Sequence, residues 1–409
     1  MYNTDKEIEK VILIAVDLDK GEDIDANLDE LEELVKTAGA VVVGRLIQKK
    51  EAVDKATYIG SGKTEELREL VTELEASGVV SDDELSPMQM KNLEEILDTK
   101  IMDRTMVILD IFAKRATTRE GIIQVELAQL KYRSSRLIGM RNSLSRLGGG
   151  IGTRGPGEKK LEIDRRIIRD RIGQLQKELE DVKQHREVMR KQRMSGKLPI
   201  VSIVGYTNAG KSTLLNKLTL AGVLEEDMLF ATLDPTSRGY KLTNGQEIII
   251  TDTVGFIKKL PHHLINAFRS TLEEAKYSDI ILHVVDISNP CADNHITTVY
   301  ETLSGLGVEN KPVITAFNKI DKVETLPVIK DFKADQVVYI AAKKEIGFEE
   351  LISAITEEVN KSRNYIEKLI PYSDAGIINK IRKTGSILEE DYREDGIYIR
   401  AYADRSLDI

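Results

Sequence analysis

Short apolar runs alternate with amphipathic stretches along most of the chain, and this pattern predicts a mixed α/β protein. Residues 28–36 and 65–76 have the apolar spacing of helices, whereas residues 396–402 alternate as a half-exposed strand does. We therefore expect a small N-terminal α/β domain, a central domain with a mostly parallel sheet, and a small C-terminal α+β appendage. The apolar runs that predict buried strands lie at 11–16, 40–44, 198–204, 247–251, 312–317 and 336–340.

A narrower apolar pattern occupies the segment between the first and the central strand-rich regions. Its apolar residues recur at steps of three, four and seven, which predicts two long helices that meet along thin seams. Residues 148–160 contain six glycines and a proline, so we predict that this run is not helical and that 148–157 form the tip of a helical hairpin. A connector without a function is the alternative interpretation. The seam residues are Ile123, Leu127, Leu130, Leu137 and Leu144 in the first helix, and Ile168, Ile172, Leu175, Leu179, Val182 and Met189 in the second.

These patterns divide the chain into an N-terminal α/β subdomain at 1–103, the hairpin at 104–196, a central domain at 197–366 and the appendage at 367–409. The single cysteine, Cys291, excludes an intramolecular disulfide and a cysteine metal cluster. The chain starts without the basic and apolar regions of a signal peptide, and no apolar run approaches the length of a membrane span. We therefore expect a cytoplasmic protein without a membrane segment.

The charge of the chain is unevenly distributed. The whole chain has a net charge of −9, whereas residues 104–200 contain 23 Lys and Arg against 11 Asp and Glu, a net charge of +12. A basic hairpin in an otherwise acidic protein indicates a local contact with an anionic partner, of which nucleic acid is the commonest. At the predicted tip, Arg154, Lys159 and Lys160 are the candidate contacts to RNA. A solvated helix surface is the alternative.

A complete Gly-x-x-x-x-Gly-Lys-Ser sequence runs from Gly205 to Ser212, between a predicted strand and an amphipathic stretch. Backbone N–H groups of such a loop converge on the α- and β-phosphates of a nucleotide, and the start of the following helix adds to the attraction. Lys211 is predicted to reach the β- and γ-phosphates, and Ser212 to bind Mg²⁺. We therefore predict that the chain binds a nucleoside triphosphate. The predicted cofactor-binding residues of this loop are Gly205, Asn208, Ala209, Gly210, Lys211, Ser212 and Thr213.

An Asn-Lys-x-Asp sequence, Asn318 to Asp321, directly follows a predicted buried strand, at the edge where open α/β sheets bind ligands. The Asp321 carboxylate can accept from both the N1–H and the 2-amino group of guanine, and adenine offers no such pair. Asn318 is predicted to tie this segment to the phosphate loop, and the stem of Lys319 to cover the base. We therefore expect GTP or GDP. A backbone N–H is predicted to supply the last guanine contact from Ala341, Ala342 and Lys343.

The residues predicted to sense the γ-phosphate lie between these two motifs. A predicted strand ends at Asp252, which is expected to hold Mg²⁺ through water, and Gly255 is expected to bring its N–H to the γ-phosphate. Thr232 is predicted to bind both Mg²⁺ and the γ-phosphate in the triphosphate state, with Thr236 as the alternative. Lys211, Thr232 and Gly255 are therefore the predicted catalytic residues, and the predicted metal ligands are Ser212, Thr232 and Asp252.

Phe256 follows the Asp-x-x-Gly sequence at the position where regulatory small GTPases carry a glutamine that orients the attacking water. A phenyl ring cannot orient water, so we expect slow hydrolysis by the isolated protein and stimulation by a partner, RNA or a monovalent cation. Asn208 matches an asparagine that helps to hold K⁺ in some cation-dependent GTPases. Potassium dependence is therefore a hypothesis, and an asparagine that only caps the loop is the alternative.

With these residues assembled, the chain resembles the HflX-type GTPases over nearly its whole length. Longer strings than the phosphate loop support this resemblance, and Phe256 matches the apolar substitution of the catalytic glutamine in that family. Two departures are residues 132–136, where relatives tend to have a more apolar run, and Ala341, where a serine is usual. The supporting strings lie at 82–87, 103–105, 108–113, 124–130, 149–158 and 230–236.

The resemblance implies a GTPase that binds the large ribosomal subunit and 70S ribosomes, sends its glycine-rich tip toward the peptidyl-transferase region and helps to split stalled ribosomes. GTP hydrolysis stimulated by the ribosome would then reset it. An RNA-binding assembly or remodelling factor with incidental nucleotide turnover is the alternative from a different class. A signalling GTPase directed to a membrane or a protein is a third reading, although the C-terminal sequence contains no lipidation motif.

Overall fold

The fold is described from a computed structural model of the 409-residue chain. Contacts divide the chain into two compact units, residues 1–182 with 259–267 and residues 183–258 with 268–409. The structure describes residues 8–19, 21, 23–147, 156–194, 198–219, 229–230, 236–259 and 274–403, and only the backbone at 137–147, 156–161, 185–194 and 383–384.

The first unit is built on a four-stranded parallel sheet. Its elements are β1 (Lys10–Asp17), α1 (Ile24–Ala38), β2 (Val41–Lys49), α2 (Ser61–Glu73), β3 (Gly78–Ser81), α3 (Pro87–Leu97), β4 (Lys100–Asp103), α4 (Arg104–Arg115), α5 (Arg119–Leu147) and the start of α6 (Pro156–Met194). The strand order is β2-β1-β3-β4. Residues 11–16 of β1 are all buried, so both faces of the sheet are covered by helices, as expected for parallel strands.

Polar side chains close the carboxyl edge of this sheet. The Arg104 guanidinium is 2% exposed and pairs with Asp82 at 2.9 Å and with Glu30 at 2.6 Å. Asp103 caps α4 through the N–H of Met106. The same carboxylate accepts from the Tyr132 hydroxyl at 2.7 Å and pairs with the Arg136 guanidinium at 2.6 Å. These bonds explain why acidic and basic residues tolerate burial at this edge.

The long helices α5 and α6 confirm the predicted hairpin helices. Ile123 and Leu127 of α5 form a buried cluster with Leu175 of α6, and the other seam residues that pack against it are Leu130, Ile172, Leu179 and Val182. The prediction that residues 148–160 are not helical is wrong for 156–160, because α6 begins at Pro156. Proline has no N–H to lose in the first helical turn, and its fixed φ angle suits a helix start. Residues 148–155 lie outside the described part of the chain.

The second unit contains a six-stranded sheet in the order β10-β9-β8-β5-β7-β6. Its elements are β5 (Ile200–Gly205), α7 (Lys211–Thr219), β6 (Thr236–Lys241), β7 (Glu247–Asp252), β8 (Ile280–Asp286), α8 (Ala292–Gly305), β9 (Val313–Asn318), β10 (Gln336–Tyr339) and α9 (Phe348–Lys361). All neighbouring strands are parallel except β6 and β7, which form a hairpin. The carboxyl ends of β5, β7, β8 and β9 therefore meet at one edge of the sheet.

A small C-terminal domain completes the second unit. It contains β11 (Asn364–Ile370), α10 (Gly376–Thr384), β12 (Ser386–Arg393) and β13 (Gly396–Ala403), with an antiparallel sheet in the order β11-β13-β12. Ile397, Ile399 and Ala401 of β13 pack with Ile378 and Ile381 of α10. The predicted fold class, an N-terminal α/β domain with a helical hairpin, a mostly parallel central sheet and an α+β appendage, is confirmed. None of the described helices is both long enough and apolar enough to span a bilayer.

Candidate nucleotide-binding site

The phosphate loop connects the end of β5 to the start of α7. Asn208 has a φ of +59° and Gly210 a φ of +95°, so two left-handed residues turn the chain sharply before the helix. A Cβ atom at Gly210 would collide with the side-chain amide of Asn318, which is why only glycine fits there. Ala209 is buried and Thr213 is half-buried on α7. The loop thus has the strand, turn and helix that a phosphate-binding loop requires.

Lys211, the first residue of α7, is 6% exposed. Its ammonium group donates to the backbone carbonyl of Tyr206 at 2.7 Å. Burial lowers the pKa of Lys211 to about 8, although the nearby Asp252 carboxylate opposes the shift. A cation held in a desolvated position interacts more strongly with a phosphate than one in water does.

Oxygen ligands suitable for Mg²⁺ meet beside the loop. The Ser212 hydroxyl lies 2.8 Å from the Asp252 carboxylate, which is fully buried at the end of β7. Mg²⁺ is usually held by one or two such groups together with phosphate oxygens of the substrate, so this pair fits the ion. Thr232, the third predicted ligand, lies outside the described residues, and its alternative Thr236 begins β6.

The segment after β7 packs directly against the phosphate loop. A Cβ atom at Gly255 would lie 2.7 Å from the Thr207 Cγ2 atom and 3.1 Å from the Lys211 Nζ atom, so glycine is needed for this approach. Phe256 donates its N–H to the Gly205 carbonyl at 3.1 Å and accepts from the Thr207 N–H at 2.8 Å. The Phe256 ring is 2% exposed and has no hydrogen-bonding group, so it cannot orient a water molecule.

The Asn-Lys-x-Asp segment is bound to the phosphate loop through side chains. Asn318 donates to the Ala209 carbonyl at 2.8 Å and accepts from the Ala342 N–H at 2.9 Å. Lys319 donates to the Asn208 carbonyl at 2.8 Å. One asparagine therefore connects the phosphate loop to the segment Ala341, Ala342 and Lys343, which lies after β10.

Asp321 lies in a 3₁₀ turn, Ile320–Lys322, directly after β9. Its carboxylate is 3.2 Å from the Lys344 ammonium group. The two groups of residues that the sequence predicts for phosphate and for guanine therefore lie in one unit and are joined by hydrogen bonds.

Three residues of this region were missed by the sequence predictions. Asp286, at the end of β8, pairs with Lys319 at 2.7 Å. Tyr206 stacks on His295 of α8, with ring centroids 3.7 Å apart and planes 6° apart. A carboxylate at the end of an apolar strand is a visible signal that would have found Asp286. The Tyr206 contact has no such signal, because its partner lies 89 positions away.

Two of the three predicted RNA contacts fall on described backbone of the first unit. Lys159 and Lys160 are on the first turns of α6, where the structure describes only the backbone, and Arg154 lies outside the described residues.

Family models match three consecutive parts of the chain. A model described as GTP-binding GTPase N-terminal matches residues 25–113, and one described as GTP-binding GTPase Middle Region matches residues 115–193. A third, described as 50S ribosome-binding GTPase, matches residues 200–319, which contain the phosphate loop and end within the Asn-Lys-x-Asp sequence.

Known proteins are similar to the chain over nearly its whole length. GTPase HflX of Lacrimispora saccharolytica is 61% identical over 98% of this chain and 95% of that relative. GTPase HflX of Caldanaerobacter subterraneus subsp. tengcongensis is 51% identical over 96% and 90% of the two chains, and that of Escherichia coli is 38% identical over 95% and 92%. The chain therefore belongs to the HflX family of GTPases and is a GTP-hydrolysing enzyme.

Proposed function

We propose that this GTPase is a nucleotide-driven switch that acts on the large ribosomal subunit and on 70S ribosomes. The observation that carries the proposal is the packing of Gly255 against Thr207 and Lys211. A γ-phosphate bound by Lys211 has to be accommodated where Gly255 approaches the loop, so its gain or loss moves the segment that follows Asp252.

Lys211, Thr232 and Gly255 are the proposed catalytic residues. The Lys211 ammonium group neutralises charge on the phosphates, and the Gly255 N–H donates to the γ-phosphate. The role of Thr232 rests on its sequence context alone. Asp321 accepts the two guanine donors, and backbone N–H groups of Gly210 to Thr213 bind the phosphates.

Ser212 and Asp252 are the proposed protein ligands of Mg²⁺, with Thr232 added in the triphosphate state. Bound Mg²⁺ neutralises charge that develops on the phosphate oxygens during hydrolysis. Asn208 is exposed and has a left-handed backbone conformation in the loop. We propose that it helps to bind K⁺, and comparison of GTP turnover in potassium and in sodium buffers tests this role.

Two observations support the ribosome as the partner. The third family model is described as a 50S ribosome-binding GTPase, and residues 104–200 carry a net charge of +12. We propose that the tip of the hairpin contacts ribosomal RNA through Arg154, Lys159 and Lys160 and promotes the splitting of stalled ribosomes in the cytoplasm. A glycine-rich sequence has few bulky side chains and so suits narrow crevices lined by phosphates.

The experiment that tests this function is GTP turnover with and without purified 50S and 70S particles, in potassium and in sodium buffers. We expect the particles to raise kcat by at least about tenfold, because the buried Phe256 cannot position water. Replacing Arg154, Lys159 and Lys160 together by alanine should leave intrinsic turnover unchanged and remove the stimulation.

A matched control removes the same charge from a part of α6 that the structure describes with side chains. Arg166, Arg169 and Lys177 are exposed on α6, and their joint replacement by alanine should keep most of the stimulation. Equal losses in both triple variants would show that the tip has no special role. Stimulation that survives in the tip variant would exclude the proposed contact, and RNA remodelling that survives Lys211→Ala would favour an RNA-remodelling factor instead.

A further inference from the structure

Tyr206 is the first variable residue of the phosphate loop, and it is 5% exposed. Its carbonyl accepts from the Lys211 ammonium group at 2.7 Å. Its hydroxyl accepts from the backbone N–H of Lys258 at 2.8 Å. One residue therefore contacts both the phosphate-binding lysine, through its backbone carbonyl, and the segment that follows Gly255, through its hydroxyl.

The Tyr206 ring is held in place by His295 on α8. The two rings are nearly parallel, with centroids 3.7 Å apart. Burial lowers the pKa of the His295 imidazole to about 4, with the Lys258 charge acting in the same direction and Asp286 against it. The imidazole is therefore neutral at pH 7, and it stacks as an uncharged ring.

Among the described residues, hydrogen bonds join the segment from Gly255 to Lys258 to the phosphate loop through Phe256 and through Lys258. Phe256 exchanges backbone hydrogen bonds with Gly205 and Thr207, and Lys258 donates to the Tyr206 hydroxyl. The first attachment uses only backbone atoms, so no substitution of a side chain removes it directly. The second depends on a single hydroxyl group.

We propose that the Tyr206 hydroxyl, held by the stack on His295, is a positioning group that sets the approach of the Gly255 N–H to the γ-phosphate during hydrolysis. The inference rests on the proposed contact between Gly255 and the γ-phosphate. In a site without a catalytic glutamine, the placement of backbone donors carries more of the transition-state stabilisation. The hydrogen bond to the Tyr206 hydroxyl restrains the segment beyond Phe256, and a more restrained segment holds its backbone donors in place more precisely.

The test is the intrinsic GTP turnover of Tyr206→Phe, measured without ribosomal particles. This substitution keeps the ring stack and removes only the hydroxyl. We expect kcat to fall about three- to tenfold, the effect of one lost hydrogen bond in the transition state, with KM for GTP and Kd for GDP within about twofold of wild type. Amide hydrogen exchange at Lys258 should become faster. Because ribosomes are omitted, the result is independent of the proposed ribosomal function.

Tyr300→Phe is the matched control. Tyr300 also contacts a histidine ring, that of His283, and its hydroxyl donates to Asp331 at 2.8 Å, but within the described residues no hydrogen bond, ion pair or ring contact joins it to a nucleotide motif. This variant should lower the melting temperature and leave kcat unchanged. An equal fall of kcat in both tyrosine variants would mean that the effect is a general loss of stability, and it would overturn the proposal.

His295→Leu is a second test of the positioning role of Tyr206. It keeps the Tyr206 hydroxyl and removes the ring that orients it, so kcat should again fall while Kd for GDP stays constant. Unchanged kcat in Tyr206→Phe or in His295→Leu would overturn the proposal. So would a fall of kcat matched by an equal loss of GDP affinity, because Tyr206 would then act in binding and not in positioning.

Discussion

Two loops of this chain contain glycine, lysine and a hydroxyl residue at the start of a helix that follows a parallel strand, and only one of them has the geometry of a phosphate site. In the first unit, Lys63 pairs with Glu66 at 2.7 Å and is 31% exposed. In the second unit, Lys211 is 6% exposed and bonded to a backbone carbonyl. The sequences Gly62-Lys63-Thr64 and Gly210-Lys211-Ser212 are nearly the same.

The backbone around each lysine explains the difference. The Gly60 N–H donates to the Gln48 side chain at 2.7 Å, and the Thr64 hydroxyl donates to the Gly60 carbonyl at 3.1 Å, so side chains of the protein already bind this turn. The position five before Gly62 is Thr57, not glycine, and the chain cannot form the wide phosphate-binding loop.

The carboxyl edges of the two parallel sheets differ in the same way. In the first unit, Asp82, Arg104 and Glu30 form a buried ion pair network at this edge. In the second unit, the edge carries Asp252, Asn318 and Asp321. Their side chains contact Ser212 at the start of α7, the Ala209 carbonyl of the phosphate loop and Lys344, respectively. Architecture alone therefore does not create a nucleotide site, and the residues at the strand ends decide it.

The largest effect should separate the two lysines. Lys211→Ala removes a cation that contacts the phosphates, and we expect GTP affinity to fall about a thousandfold, or about 4 kcal/mol. Lys63→Ala should leave GTP affinity within about twofold, because its partner is an exposed glutamate. Titration with a fluorescent GTP analogue measures both. A comparable loss in the two variants would contradict the assignment of the phosphate site.

A second pair of variants should separate the two carboxylates. Asp321→Asn is expected to weaken GTP binding about a hundredfold and to favour xanthine nucleotides, since the amide cannot accept from both guanine donors. Asp82→Asn should lower the free energy of unfolding by about 3 kcal/mol, because it breaks a buried ion pair, without changing nucleotide preference. Competition binding and thermal unfolding distinguish the two outcomes. Retained GTP selectivity in Asp321→Asn would place base recognition elsewhere.

A smaller change in GTP affinity should appear as the pH is varied. Burial lowers the pKa of Lys211 to about 8, so in the free protein this group is charged below that pH and neutral above it. Bound phosphates stabilise the charged form, and GTP affinity should therefore fall as pH rises through 8, by about tenfold at pH 9. Binding measured from pH 7 to 9 tests this.

Lys211→Arg is the control for this pH dependence, because a guanidinium stays charged over the whole range. Any titration of the nucleotide itself affects both proteins equally, so the difference between their pH profiles excludes it. If the wild type and Lys211→Arg show the same pH profile, the lysine is not the group that titrates.

Much of the fold and site could be predicted because their signals are local. The phosphate loop, the Asn-Lys-x-Asp sequence and the apolar strands each occupy a few consecutive residues, and their periodicity or spacing is visible directly. The prediction failed at 156–160, where α6 begins. Pro156 is a local signal for a helix start, but the surrounding glycines favour a non-helical run.

The sequence by itself determined the chemistry of the ligand, a guanine nucleotide with its phosphates, and membership of a GTPase family. Only the tertiary structure decided which lysine is desolvated, that Asn318 joins the phosphate loop to Ala342, and that Tyr206 lies between His295 and Lys258. The physical reason is distance along the chain. Contacts between residues tens of positions apart depend on strand order and packing, and no local pattern encodes them.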